Sequence, residues 1–288
     1  MSDLIKLFDD LDKLPSIPKV VKILISDLGN PDVSINTLSD TLSNDQNLTA
    51  KVLSLANSGF YKMSRKIFSI QEAVTIIGIK NLQNIVLTTG VTAAFQNYSK
   101  NRTSKILSHS FKTATLALEF CKLSKKRGCQ LDENMCYTIG LLSNLGNMLI
   151  SIYDHEKYSA IEQGVLNGRE RDDIEFSEVG TTSKTIGSEL VTIWDLPEVV
   201  SKSIALKVTN EDIRGLYQNE DIKLATLYAT AVGLCQTIAE FSESPEITSC
   251  IVEAYNLEHN DPIIEDIDKL LTIINIDALN ESSKEMFK

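Results

Sequence analysis

Apolar residues recur three and four positions apart along most of this chain, and no other feature restricts its possible folds as much. Leu48, Val52, Leu55, Ala56 and Gly59 fall at i, i+4, i+7, i+8 and i+11, one stripe of an α-helix. Similar stripes continue towards the C-terminus. With 13 glycines and 6 prolines in 288 residues, the turns of an all-β fold lack their usual residues. Hydrophobic residues make up 43%, enough for a sizeable core. The expectation is an all-α chain.

Local chemistry marks where the helices begin and end. A first helix is expected over residues 3–13, with Leu4, Leu7, Phe8 and Leu11 on one stripe. Leu14-Pro15-Ser16-Ile17-Pro18 interrupts it, because each proline disfavours helix in the residue before it. A second helix can start at Pro18, where a missing N–H costs little, burying Val20, Val21, Leu24 and Leu28. Gly29-Asn30-Pro31 ends it, and Ser34 caps a short helix holding Ile35, Leu38 and Leu42. Asp45 caps the helix of the Leu48 stripe. Ser69-Ile70-Gln71-Glu72 reads as a capping box, in which the Ser69 hydroxyl accepts from the Glu72 N–H and the carboxylate returns the bond. The helix that follows carries Ala73, Ile76 and Ile77 to about Gly78, and another runs from about Asn81 to Phe95.

Residues 98–103 are polar and read as a linker, so 1–97 form an N-terminal lobe. Beyond it, Leu107, Phe111, Ala114, Leu118 and Cys121 line one helix face, and Ile106, Leu116 and Phe120 a second. A helix apolar on two sides is buried on both. Further helices are expected over 132–152, 154–167, 177–193, 197–206 and 221–241, completing a second lobe over 98–241. Residues 242–288 form an acidic, partly helical tail. Trp194, among Ile193, Leu196 and Pro197, is expected to anchor the core between the lobes.

Charge and cysteines exclude several classes. The net charge of −11 repels phosphate backbones and anionic headgroups, so neither nucleic acid by direct charge contact nor a membrane is an expected partner. Lys122, Lys125, Lys126 and Arg127 form one dense basic run, read as a solvated helix end. Five cysteines without a C-x-x-C pair suggest buried, reduced thiols rather than a disulfide framework or zinc knuckle. Met1 to Asp10 mixes acids with apolar residues, unlike a signal peptide, and no uninterrupted apolar run reaches about 18 residues. A cytoplasmic location is the expectation.

Several of these segments together are specific. They are Leu14-Pro15-Ser16-Ile17-Pro18; Asn30-Pro31-Asp32 followed by Ser34; Leu48-Thr49-Ala50-Lys51-Val52-Leu53; and Leu55-Ala56-Asn57-Ser58 with Tyr61. Ile70-Gln71-Glu72-Ala73-Val74, Ile77-Gly78 and Leu82 continue the series. Over about residues 13–210 the chain resembles the HDOD family, relatives of the HD-superfamily metal phosphohydrolases found in bacterial signalling proteins. The resemblance implies a two-lobed helical bundle. Pro15, Pro18, Asn57, Ser58 and Tyr61 belong to its signature, as fold determinants or as the lining of an interaction groove.

HD-type hydrolysis uses divalent metal to polarise a phosphoryl oxygen and activate water, and metal needs several imidazoles and carboxylates converging from different helices. The family pattern places a His in the long helix, and His109 stands there. The pattern then fails. Gly140-Leu141-Leu142 leads into Ser143-Asn144, where His-Asp would stand, and a further His falls at Ser183. Residues 222–239 contain no Asp or Glu to supply a late acidic ligand. Of the other two histidines, His155 and His259, neither occupies a ligand position. His109 is read as a hydrogen-bonded core residue. No phosphate-loop, dinucleotide-binding or nucleophile-elbow motif is present, and Asp172-Asp173 lie in a polar 168–178 segment read as solvent-facing.

The sequence therefore predicts a non-catalytic regulatory module with no catalytic residue, no metal and no cofactor. It would bind a signalling protein or a small ligand in the degenerate pocket (His109, Ser143, Asn144, Ser183) or in the groove between the lobes. The alternative is a divergent metal-dependent phosphohydrolase or phosphodiesterase. A nucleic-acid-linked regulator is disfavoured by the acidity.

Overall fold

Helix α1 (Lys19–Ser26) opens where the Pro18 carbonyl accepts from the Val21 N–H at 2.9 Å, and it buries Val20, Val21 and Ile25. Coordinates come from a computed structural model that describes residues 13–26, 42, 45–58, 61, 65–98, 100–129, 131–217, 224–257 and 261–287. Among these residues every regular element is helical. The stripe of Leu4, Leu7, Phe8 and Leu11, the Gly29-Asn30-Pro31 stop, the Ser34 cap with Ile35 and Leu38, Gly59 and His259 lie outside the described residues, as do Leu28 and the Leu24 side chain.

Asp45 caps α2 (Gln46–Ala56), its carboxylate accepting from the Leu48 N–H at 2.9 Å, and the Leu48, Val52, Leu55, Ala56 stripe is buried. Asn57 ends the helix. Its amide donates to the Leu53 carbonyl at 2.7 Å and the Ile67 carbonyl at 2.8 Å, and its oxygen accepts from the Ile67 N–H at 2.8 Å. One side chain thus ties a helix end to a segment ten residues on. In α3 (Ile70–Ile77) the Ser69 hydroxyl accepts from the Glu72 N–H at 3.1 Å, but the Glu72 carboxylate bonds the Phe68 N–H at 2.8 Å, not Ser69 as expected. Arg65 pairs with the same carboxylate and steadies it in this wider box. Helix α4 (Ile79–Ala94) begins two residues before the expected start and is buried at every position from Leu82 to Val91.

The expected linker is a helix start: α5 (Lys100–Ser124) includes residues 100–103. Thr103 is already buried, the Arg102 guanidinium donates to the Ile152 carbonyl, and the Ser151 hydroxyl donates to the Arg102 carbonyl. The expected 132–152 helix is two, α6 (Glu133–Leu142) and α7 (Leu145–Tyr153). Between them the Ser143 hydroxyl donates to the Gly140 carbonyl, which closes α6. The redirected α7 brings Gly146 so close to α10 (Ser183–Ile193) that a Cβ there would stand 1.8 Å from the Ser183 carbonyl oxygen. The 133–153 stretch is apolar and long enough to cross a membrane, but 83% of its apolar window is buried in the fold.

Helix α8 (His155–Leu166) is followed by α9 (Arg171–Val179), so the polar 168–178 segment is largely helical. The expected 177–193 helix is split at Gly180, whose φ of +78° is a left-handed cap an L-residue resists, and Thr182 then caps α10. Asp172 is not free in solvent: the Lys184 ammonium donates to it at 2.8 Å, whereas Asp173 is exposed. Helices α11 (Glu198–Ala205), α12 (Asn210–Gly215) and α13 (Leu224–Glu240) complete the second lobe.

The acidic C-terminal region forms α14 (Ile247–Tyr255), α15 (Pro262–Ile273) and α16 (Ile276–Met286), of which α15 and α16 pack on α5. Ser108 meets Ser283 at 2.9 Å, Phe111 meets Phe287 edge-on at 6.1 Å, and Lys112 donates to Ser242 and Asn280. The basic run is not simply solvated. Arg127 donates to Asp266 and Glu265, both at 2.7 Å, and so clamps α15, while Lys122 and Lys125 pair with Glu119 and Glu133. Trp194, 2% exposed, donates from Nε1 to the Pro15 carbonyl at 2.8 Å, so the N-terminal strap is pinned to the second lobe.

Candidate functional site

His109 lies on α5 against the N-cap of α7, and that contact sets its state. Asn144, 7% exposed, donates from Nδ2 to His109 Nδ1 at 3.2 Å, which leaves the ring proton on Nε2. Nε2 is buried beside the Gln236 backbone, outside hydrogen-bonding geometry. Burial, then the positive charges of Lys112 and Arg171, push the imidazole down to about 4, so it is neutral at physiological pH. Neither neighbour brings negative charge: Ser143 stands 3.5 Å from the Asn144 amide with its hydroxyl committed to Gly140, and Asn144 is an amide.

Ser183 enters this group through its backbone. Its N–H donates to Glu175 Oε2 at 2.7 Å, and its carbonyl backs onto Gly146. Asn144 thus touches both His109 and Ser143, while Ser183 meets Gly146 and Glu175 through its backbone.

Sequence reasoning missed the charged half of the pocket. Glu175 is fully buried, and a buried carboxylate needs compensation. The Arg171 guanidinium lies 3.6 Å from its Oε1, donates to Glu162 at 2.8 Å and reaches Asn147 Oδ1 at 3.5 Å. Asn147 in turn donates to Asn144 at 3.3 Å, so a polar chain runs from Arg171 to His109. Burial alone would lower the Arg171 pKa, but Glu162 and then Glu175 reverse the sign and hold it charged. The signal was present: Arg171 and Glu175 are an i, i+4 pair, and Val179, at i+8 on the same stripe, is apolar.

The signature residues have separate tasks. Pro15 and Pro18 lie in the strap held by Trp194 and by Tyr153, whose hydroxyl donates to the Lys13 carbonyl, and they line a cavity of about 810 Å³ with the N-terminus of α2 and the end of α4. Asn57 is a helix-end bracket. Tyr61 is half-buried against the core, and burial raises its phenol pKa. Ser58 lines a second cavity of about 480 Å³, where α2 and α4 face α16 through Leu55, Thr89, Met286 and Phe287. Its hydroxyl is buried there without a partner.

Among the described residues no three His, Cys, Asp or Glu side chains converge in a way that could hold a metal ion. His155 is exposed and stacks on Tyr158. One neutral imidazole, an amide and hydroxyls do not fit a catalytic divalent cation.

The HDOD domain profile matches residues 14–209, against the 13–210 expected from the motifs. The chain belongs to the HDOD family. A Treponema pallidum protein of uncharacterised function is 28% identical over 205 residues, which cover 68% of this chain but 38% of that relative, so this chain spans well under half of that relative's length. An HDOD domain protein of Geobacter sulfurreducens superposes with a TM-score of 0.71 at 22% identity, over 97% of each chain. A Shewanella amazonensis protein bearing a provisional phosphohydrolase name superposes at 0.70 with 21% identity, over 100% of this chain and 99% of its own. A Marinobacter aquaeolei protein provisionally named for signal transduction superposes at 0.67 with 20% identity, over 98% of this chain and 61% of its own. At these identities the HDOD likeness is one of fold.

Proposed function

We propose that this HDOD chain is a non-catalytic module of bacterial cytoplasmic signalling, which binds a protein partner or small ligand and performs no hydrolysis. The observation that carries the reading is the His109–Asn144 contact. The imidazole that would ligate a metal instead accepts a hydrogen bond at Nδ1 from the Asn144 amide, where the family pattern has a carboxylate. A catalytic cation needs several anionic or imidazole donors; the inherited ligand positions offer one ring, and the neighbouring Glu162 and Glu175 carboxylates are already paired with Arg171. The Marinobacter relative's signal-transduction name agrees with the class, and the Shewanella name is the basis of the alternative, a divergent phosphohydrolase.

The groove where α2 and α4 face α16 suits the binding role. It joins apolar Leu55, Met286 and Phe287 to hydroxyls such as Ser58 and Thr89, a mixture that can bury a ligand and orient it. The test couples two measurements on the intact chain. Elemental analysis after dialysis should find no stoichiometric Mn, Fe, Mg or Zn, and pull-down from the native host should recover one signalling protein reproducibly. Filling the groove with Ser58→Trp should abolish that capture. Stoichiometric metal together with turnover of a cyclic dinucleotide would end the non-catalytic reading.

A further inference from the structure

The charged half of the pocket has a property that metal loss alone does not explain. Glu175 is sealed from solvent and Glu162 partly so, yet both carboxylates face one spot. A buried carboxylate such as Glu175 loses its hydration and is repelled by a second one nearby unless a cation lies between them. Arg171 fills that spot. Its guanidinium is met by oxygens of Asn147 on α7, Glu162 on α8 and Glu175 on its own helix α9. The second Glu175 oxygen secures the first turn of α10 through the Ser183 N–H, and Asn147 carries the connection through Asn144 to His109 on α5. Five helices are thus joined through one positive group.

We propose that the Arg171 guanidinium is the resident cation of this pocket, a tethered charge that holds α7, α8 and α9 together directly and, through Glu175 and Asn147, ties in α10 and His109 on α5. The idea rests on the reading that no metal is held here. A guanidinium suits the task because its planar fork presents five donors at fixed angles, so it can serve oxygens from several directions. Glu175 Oε1 has no hydrogen bond of its own, and its compensation is the Arg171 charge at 3.6 Å.

The test compares thermal unfolding of the full chain with its Arg171→Lys and Arg171→Met variants, and with the double variant Arg171→Met/Glu175→Gln, each in EDTA and in millimolar Mn²⁺. Lysine keeps the charge, methionine keeps the bulk, and the double variant removes charge from both sides. The wild-type midpoint should be the same in EDTA and Mn²⁺. Arg171→Met should lose roughly 4 °C or more. Arg171→Lys should recover at least about half of that loss, and the double variant should be more stable than Arg171→Met. If Arg171→Met does not fold, folding of the double variant still supports the proposal, and its failure overturns it, since shape and not charge would then be the requirement. Lys and Met variants of equal stability, or an Arg171→Met chain as stable as wild type, would also overturn it while leaving the metal-free reading intact. A wild-type midpoint that rises with Mn²⁺ and falls in EDTA would sink both.

Discussion

Asn57 shows how much one side chain can settle. Its three hydrogen bonds join the end of α2 to both backbone groups of Ile67, which are otherwise without a helical or strand partner. Asn57→Ala strands the Ile67 groups, and a stranded buried backbone group costs more than an average bond returns. The expected loss is about 2–3 kcal/mol in urea unfolding at unchanged m-value. His109 gives a pH prediction. Its folded pKa of about 4 lies below the ordinary histidine value of 6.5. Between those values the unfolded chain binds the proton and the folded chain refuses it. Stability contributed by neutral His109 is complete above 6.5 and is lost as pH falls towards 4. The loss should be on the order of 3 kcal/mol, and His109→Gln should remove that part of the slope. Equal acid slopes in the two proteins would show that His109 is solvated in the native state. Both residues could be picked out from sequence, Asn57 as a helix end and His109 as an aligned imidazole. The pair Arg171 and Glu175 was harder to read: its i, i+4 spacing is visible, but the 168–178 segment is so polar that it passes for surface, and burial of a charge depends on partners far along the chain.

Among the elements, the α6–α7 break shows where periodicity misleads. Residues 132–152 are apolar enough to read as one helix, because a local pattern carries no information on direction. The break is imposed by a neighbour: Gly146 must lie against the Ser183 carbonyl, and α7 turns to put it there. Gly146→Ala should therefore destabilise by about 2–3 kcal/mol or more, since the obstacle is backbone and cannot rotate away. Its measurement is a chemical denaturation curve. A loss under half a kcal/mol would mean that α7 and α10 can part easily. The caps were more legible. Asp45 and Ser69 act through residues three positions away, within reach of sequence inspection, and only the return bond of Glu72 shifted, by one residue, to Phe68.

In the whole molecule, the C-terminal helices are part of the second lobe's core. Ser283 is fully buried, Phe287 is 8% exposed, and Arg127 is held by two acids from α15. A chain ending at residue 241 would uncover the α5 face that holds Phe111 and leave Lys112 and Arg127 without these partners. It should melt at least about 10 °C lower than the full chain, or lose its cooperative transition, and bind a hydrophobic dye. An unchanged melting curve would show that α14, α15 and α16 are dispensable to the core.

By itself the sequence determined that the chain is helical, where many of its helices cap and which family it belongs to. Each of these rests on residue identity or on neighbours within about one or two helical turns. The tertiary structure decided that Arg171 enters the pocket, that Trp194 pins the N-terminal strap and that the acidic C-terminal segment closes over α5. Those outcomes join residues up to 179 positions apart, and no local period encodes which distant charge or carbonyl a side chain will meet.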